Sequence, residues 1–195
     1  MHKYYLSLGA NLGNREATLQ TAVALLKQQE AVQVTAVSSL YETPPWGKTD
    51  QPVFINMACT VETALSGPSL LAVCQQIEQQ LGRVRHEKWG ARTIDIDIVY
   101  SDDVISHTDT LEIPHPYVTQ RAFVLVPLQE IAPDVTITAL SGNVRRTKQQ
   151  YGAINTVNRF NIFSVLRELR GAKLLLSGGG TLIQDATSTK SLLYY

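Results

Sequence analysis

The stretch from Lys88 to Tyr100, KWGARTIDIDIVY, sets two aspartates into a run that otherwise reads as a buried β-strand. Strand side chains alternate between faces, so Ile94, Ile96 and Ile98 point one way while Thr93, Asp95, Asp97 and Val99 point the other. The two carboxylates therefore share a face, roughly 6.5 to 7 Å apart at about 3.3 Å of rise per residue. Like charges at that range raise each other's pKa, so the pair calls for a cation or a basic partner. One metal ion or a pair of ions would satisfy it. A salt-bridge cluster on an exposed sheet face is the other reading, since paired charges on such strands are common.

Working upstream, Arg83, Arg85, His86, Lys88, Trp89 and Arg92 all precede the pair within a dozen residues. The segment from Gly82 to Trp89 lacks apolar periodicity and reads as a loop whose arginines could close over an anion. Carboxylates for Mg²⁺ and arginines for phosphate oxygens make up the minimum equipment for moving phosphoryl groups, a reaction catalysed by positioning and charge neutralisation. No GxxxxGK[ST] occurs, so a nucleotide would not be held by a P-loop.

The rest of the chain supplies a scaffold. KYYLSLGAN reads as a strand, followed by a helix capped by Asn14 with Leu19, Val23 and Leu26 on its apolar stripe. VQVTAVSSLYET and PVFINMACTVETAL read as antiparallel strands joined by the long loop PPWGKTDQP. SGPSLLAVCQQIEQQLG is a second helix, starting at Gly67 and Pro68 and stopped by Gly82, with Leu70, Leu71, Cys74, Ile77 and Leu81 buried and Gln75 and Glu78 on the rim. LEIPHPYVTQRAFVLVPLQEIAP adds an extended segment, a proline-punctuated turn and a short helix. The class is α+β, an antiparallel sheet with helices expected on one face.

In the 195 residues, 17 Lys+Arg balance 17 Asp+Glu, which argues against a non-specific nucleic-acid binder. No run approaches the ~18 apolar residues of a membrane span. Cys59 and Cys74 form no metal spacing or disulfide framework, which suits a reducing compartment. The expectation is a cytoplasmic, monomeric protein acting on small molecules, with no nucleic-acid or membrane partner.

ETPPWGKTDQPVFINMA, QIEQQLGRVR, KWGARTIDIDIVY and LEIPHPYVTQRAFVLVPLQEIAP together closely resemble 6-hydroxymethyl-7,8-dihydropterin pyrophosphokinases of folate biosynthesis, over about residues 3 to 139. The resemblance implies a ferredoxin-like fold and transfer of pyrophosphate from ATP to the pterin's hydroxymethyl oxygen, releasing AMP. It implies that Asp95 and Asp97 hold two Mg²⁺ ions and that Arg83 and Arg92 complete the catalytic set. By the same resemblance Gln75, Glu78, Arg85, Trp89, Arg92, Ile98, His115 and Arg121 contact ATP. Thr43, Pro44, Trp46, Phe54, Asn56, Trp89 and Phe123 form the pterin pocket. Thr110 departs from the basic residue of some members, and the Arg83 to Trp89 loop is one residue shorter than the familiar form.

Composition changes near residue 141, so residues 1–140 are taken as the pyrophosphokinase domain and 141–195 as an appendage. Its SGGGTLIQD string resembles an internal piece of a polysaccharide pyruvyl transferase, and its apolar strand AKLLLSGGG is expected to stay unattached to the first domain. Two rival classes compete with this reading. An RNA-binding module of the same fold is disfavoured by the neutral charge and by the lack of an aromatic pair on a basic strand. A pyruvyl transferase remnant is disfavoured because most of that enzyme is absent.

Overall fold

The computed structural model describes residues 1–46, 48–84 and 90–135, together with the backbone of 173–175. Its order is β1 (His2–Ala10), α1 (Arg15–Gln28), β2 (Val32–Val37), β3 (Leu40–Thr43), β4 (Phe54–Thr63), α2 (Gly67–Gln80) and β5 (Asp95–Ser101). A small hairpin of β6 (Ser106–His107) and β7 (Glu112–Ile113), a 3-10 turn (Val118–Gln120), α3 (Ala122–Ile131) and β8 (Lys173–Leu175) follow. The main sheet runs β5-β1-β4-β3-β8, with β2 also paired to β4, and every pairing is antiparallel. Because β2 and β3 lie end to end along β4, they act as one strand broken at Ser38 and Ser39. With that strand counted once, the order is the 4-1-3-2 of a ferredoxin-like βαββαβ unit.

Period-two patterning sorts the layers. Tyr4, Leu6 and Leu8 of β1, Ile55, Met57, Cys59 and Val61 of β4 and Ile94, Ile96 and Ile98 beside them are buried in one core with Leu19 and Leu26 of α1 and Leu70, Cys74 and Ile77 of α2. Tyr5, Ala58 and Val99 face the other way and are buried with Val124, Leu125 and Leu128 of α3. Helices therefore cover both faces, not one, because α3 carries its own apolar stripe and takes the face that α1 and α2 leave. α3 is anchored by Glu130, whose carboxylate accepts from the Ser39 N–H at 3.0 Å and the Tyr41 hydroxyl at 2.7 Å, closing the break between β2 and β3.

The capping expectations hold. Asn14 accepts from the Ala17 N–H, and Gly82 takes a positive φ of 76° just past the end of α2. In α2, Glu78 lies on the buried side and not on the rim. The strand of the appendage also departs from expectation: Lys173–Leu175 pairs with Leu40, Tyr41 and Glu42 as an edge strand. Beyond β4, β3 presents an open row of backbone donors and acceptors, and that edge templates the pairing. The other expectations for 141–195 fall outside the described residues.

Candidate active site

α3 covers only part of its face of the sheet. The uncovered end is set by strand register: Gly9 pairs with Asp95 on one side and Asn56 on the other, and Asn56 pairs in turn with Tyr41. Ser7 pairs with Asp97 in the adjacent row. Above these rows opens a cavity of about 590 Å³. Its walls come from Thr43, Pro44 and Trp46 after β3, from Phe54 and Asn56, from Arg83 and Arg92 beside Asp95 and Asp97, and from His115, Arg121 and Phe123.

The acidic pair is asymmetric. Asp95 Oδ1 accepts an ion pair from Arg83 at 2.6 Å, and its Oδ2 one from Arg92 at 2.5 Å. Arg83 also pairs with Glu78, which is buried and accepts the Ile96 N–H at 2.7 Å. Burial pushes the Glu78 carboxyl up, with Arg83 and the Ile96 N–H opposing. Burial works against the Arg83 charge as well, but Asp95 and Glu78 outweigh it and leave its pKa raised. Asp97 receives no hydrogen bond or ion pair from the described residues. Burial, reinforced by the Asp95 charge, pushes its carboxyl up to about 7, with Arg121 pulling the other way.

That asymmetry tests whether the site suits divalent cations. A half-buried carboxylate without a partner among the described residues, two residues along the strand from a second carboxylate and facing a cavity, is a hard-oxygen donor set of the kind Mg²⁺ selects. Among the described residues no third His, Cys, Asp or Glu joins to complete a cage. Substrate oxygens and water would then supply the remaining ligands, as is usual for Mg²⁺ with phosphate substrates.

The opposite wall is cationic and aromatic. The Arg121 guanidinium lies 4.8 Å from the Trp46 ring centroid, 5.4 Å from Tyr117 and 5.8 Å from Phe123. Arg92 sits 6.0 Å from the Phe54 ring. Burial, with help from Arg121, lowers the His115 pKa to about 4, so its ring is neutral near pH 7. His115 Nδ1 accepts the Tyr117 N–H at 3.1 Å, and its Nε2 lies 3.5 Å from Arg121 Nη1, which can only donate. Asn56 donates to Thr43 Oγ1 at 2.8 Å, so its amide orientation is fixed.

Of the residues expected from sequence, Arg83, Arg92, Asp95, Asp97, His115, Arg121, Thr43, Pro44, Trp46, Phe54, Asn56 and Phe123 are brought together here. Three are not. Gln75 lies on α2 away from the lining, Glu78 is buried behind Arg83, and the Ile98 side chain is in the core against α1 and α2, because the alternation that turns Asp97 outward turns Ile98 inward. Arg85 and Trp89 fall outside the described residues. Sequence reasoning missed Ser7, Gly9 and Gln51 in the lining and Asn11 behind it. Gly9 had a readable signal as a lone glycine in a strand: a Cβ there would lie 2.8 Å from Asn56 Oδ1.

A ferredoxin-like sheet here presents paired carboxylates, three arginines and aromatic walls to one cavity, the kinds of group that phosphoryl-type transfer uses. The sequence profile of 7,8-dihydro-6-hydroxymethylpterin-pyrophosphokinase matches residues 5–133, and the chain belongs to that family. The 2-amino-4-hydroxy-6-hydroxymethyldihydropteridine pyrophosphokinase of Bacillus subtilis is 47% identical over 153 residues, covering 76% of this chain and 92% of the relative. That of Methylorubrum extorquens is 47% identical over 137 residues, covering 70% and 87%. A solved Plasmodium falciparum HPPK-DHPS matches with a TM-score of 0.54 at 18% identity, over 77% of this chain and 45% of that one. This last likeness shows the fold, and the chain spans less than half of that longer protein.

Proposed function

We propose that this cavity is where the chain transfers the pyrophosphoryl group of ATP to the hydroxymethyl oxygen of 6-hydroxymethyl-7,8-dihydropterin, a step of folate biosynthesis. The transfer forms a bond from that oxygen to the β-phosphorus, breaks the bond from the β-phosphorus to the oxygen bridging to the α-phosphate, and releases AMP. The observation that carries the reading is the Asp97 carboxylate, unpartnered among the described residues, beside Asp95, faced by Arg121 and flanked by Arg83 and Arg92.

Asp95 and Asp97 would hold two Mg²⁺ ions, which when bound neutralise and orient the triphosphate. Arg83 and Arg92, anchored on Asp95, bring guanidinium charge to the position where negative charge redistributes during transfer. Arg121, held among three rings, contributes a second cationic side, and His115 beside it is a further ATP contact on that wall. Phe54, Phe123 and Trp46 provide flat faces for the pterin, while Asn56 and Thr43 read its edge. Arg85, Trp89, Gln75 and the Ile98 backbone belong to the same proposal as ATP contacts, and Glu78 acts through Arg83.

Residues 1–140 are the catalytic domain in this reading, and 141–195 an appendage resembling a piece of a pyruvyl transferase. No helix among the described residues is long and apolar enough to cross a membrane. We take the protein to be a cytoplasmic monomer with small-molecule substrates. Phosphorus NMR of ATP consumed with the pterin, on the full chain and on a chain cut after Gly142, tests the assignment. AMP and a pterin pyrophosphate from both support it. ADP and a pterin monophosphate would make the protein an ordinary kinase, and loss of activity on cutting would make the appendage part of the catalytic fold.

A further inference from the structure

Asn11 stands just past β1, is 2% exposed and does not itself line the cavity, yet it bonds to two residues that do, Arg92 on one side of the site and Gln51 on the other. Its Oδ1 accepts the Arg92 N–H at 2.7 Å, and its own N–H donates to the Arg92 carbonyl at 3.1 Å. Its Nδ2 donates to Gln51 Oε1 at 3.1 Å and to the Pro52 carbonyl at 3.0 Å. One buried amide thus pairs with the backbone of the arginine beside Asp95 and with the far end of the loop that carries Thr43, Pro44 and Trp46 into the pocket. Its side-chain donors and acceptor are all satisfied across the two segments.

We propose that Asn11 is a positioning residue that couples the two substrate subsites, so that ordering of the acceptor loop and placement of Arg92 favour one another. The inference rests on the proposed assignment of the cavity. Fixing the loop end at Gln51 and Pro52 orients the Asn11 amide, and the same amide sets the backbone at Arg92, from which the guanidinium reaches Asp95. A ligand that orders the loop then prepays part of the cost of ordering residue 92, and by linkage the effect is reciprocal. Other buried polar groups lack this geometry. Glu78 joins Arg83 to β5 on one side only, and the Glu130 contacts lie outside the cavity.

Asn11→Asp keeps an acceptor for the Arg92 N–H but cannot donate to Gln51 or Pro52. Gln51→Ala removes a loop-side partner and leaves Asn11 intact. The measurement is calorimetric affinity of the pterin with and without a non-hydrolysable ATP analogue and Mg²⁺, together with kcat, KM and melting temperature. In the parent the analogue should tighten pterin binding by roughly fivefold or more. Both variants should lose most of that factor with kcat reduced; Asn11→Asp, which buries a carboxylate against two acceptor oxygens, should also melt lower, whereas Gln51→Ala should melt near the parent. A parent that releases no AMP with the pterin would defeat the functional assignment itself. An active parent without coupling, or variants that keep the parent's factor, would overturn the role of Asn11. If Asn11→Asp does not fold, Gln51→Ala decides the matter on the same readout.

Discussion

The buried Glu78 carboxylate accepts the backbone N–H of Ile96 at 2.7 Å, so a side chain of α2 is bonded to the one β5 position between Asp95 and Asp97. The same carboxylate pairs with Arg83, which reaches Asp95. Glu78 therefore sets both the height of the acidic strand and the aim of its arginine. Glu78→Ala leaves a buried N–H unsatisfied and strips one anchor from Arg83, a loss of about 2 to 4 kcal/mol of stability. Glu78→Gln keeps an oxygen for Ile96 and should lose less than half as much. Urea unfolding of the three proteins checks the order.

The two aspartates should differ when mutated, though both face the cavity. Asp97→Asn removes a negative charge that has no bonded partner among the described residues, so in metal-free buffer the protein should be as stable as the parent or more so. Asp95→Asn takes the counter-charge from Arg83 and Arg92 together and should cost about 2 kcal/mol. Thermal melts in chelator-treated buffer compare them. Equal losses would mean that Asp97 has a partner of its own.

Gly9→Ala should act on the acceptor pocket. The new methyl would meet Asn56 Oδ1 at 2.8 Å and push the amide off its bond to Thr43. The pterin KM should rise about tenfold or more, a loss of one good polar contact, while the ATP KM changes little. Steady-state kinetics in both substrates read the split.

Burial and the Arg121 charge depress the His115 pKa to about 4, below the ~6.5 of an unfolded chain. The unfolded state therefore binds a proton first as pH falls. Stability from neutral His115 is complete above about pH 6.5 and is lost progressively between there and pH 4. Urea midpoints from pH 7.5 to 4 should fall more steeply for the parent than for His115→Gln. Parallel slopes would mean that the ring is not held neutral.

Much of this was legible in the sequence because it rests on short-range rules. Alternation placed Asp95 and Asp97 together and opposite three isoleucines, and Asn14 and Gly82 marked helix ends by their own chemistry. Helical spacing could not tell the face of Glu78, since its burial depends on Arg83 and on a backbone donor in another element. The position of α3 was equally hidden: its residues are apolar whichever face they cover, and which face is free depends on where α1 and α2 lie. Asn11 carries no local motif for its role, because its partners lie 40 or more residues away, and Gly9, though readable as a lone strand glycine, does not name Asn56 as the group that approaches it.

The central claim is that Asp95 and Asp97 serve pterin-dependent pyrophosphoryl transfer, and AMP release tests it most directly. AMP would be followed for the parent, Asp95→Ala and Asp97→Ala, with and without 6-hydroxymethyl-7,8-dihydropterin, across a Mg²⁺ titration. The account predicts AMP only when the pterin and Mg²⁺ are both present, and a loss on the order of a hundredfold or more in each folded variant at saturating Mg²⁺. AMP formed at the parent's rate by either variant, or formed without the pterin, would contradict it.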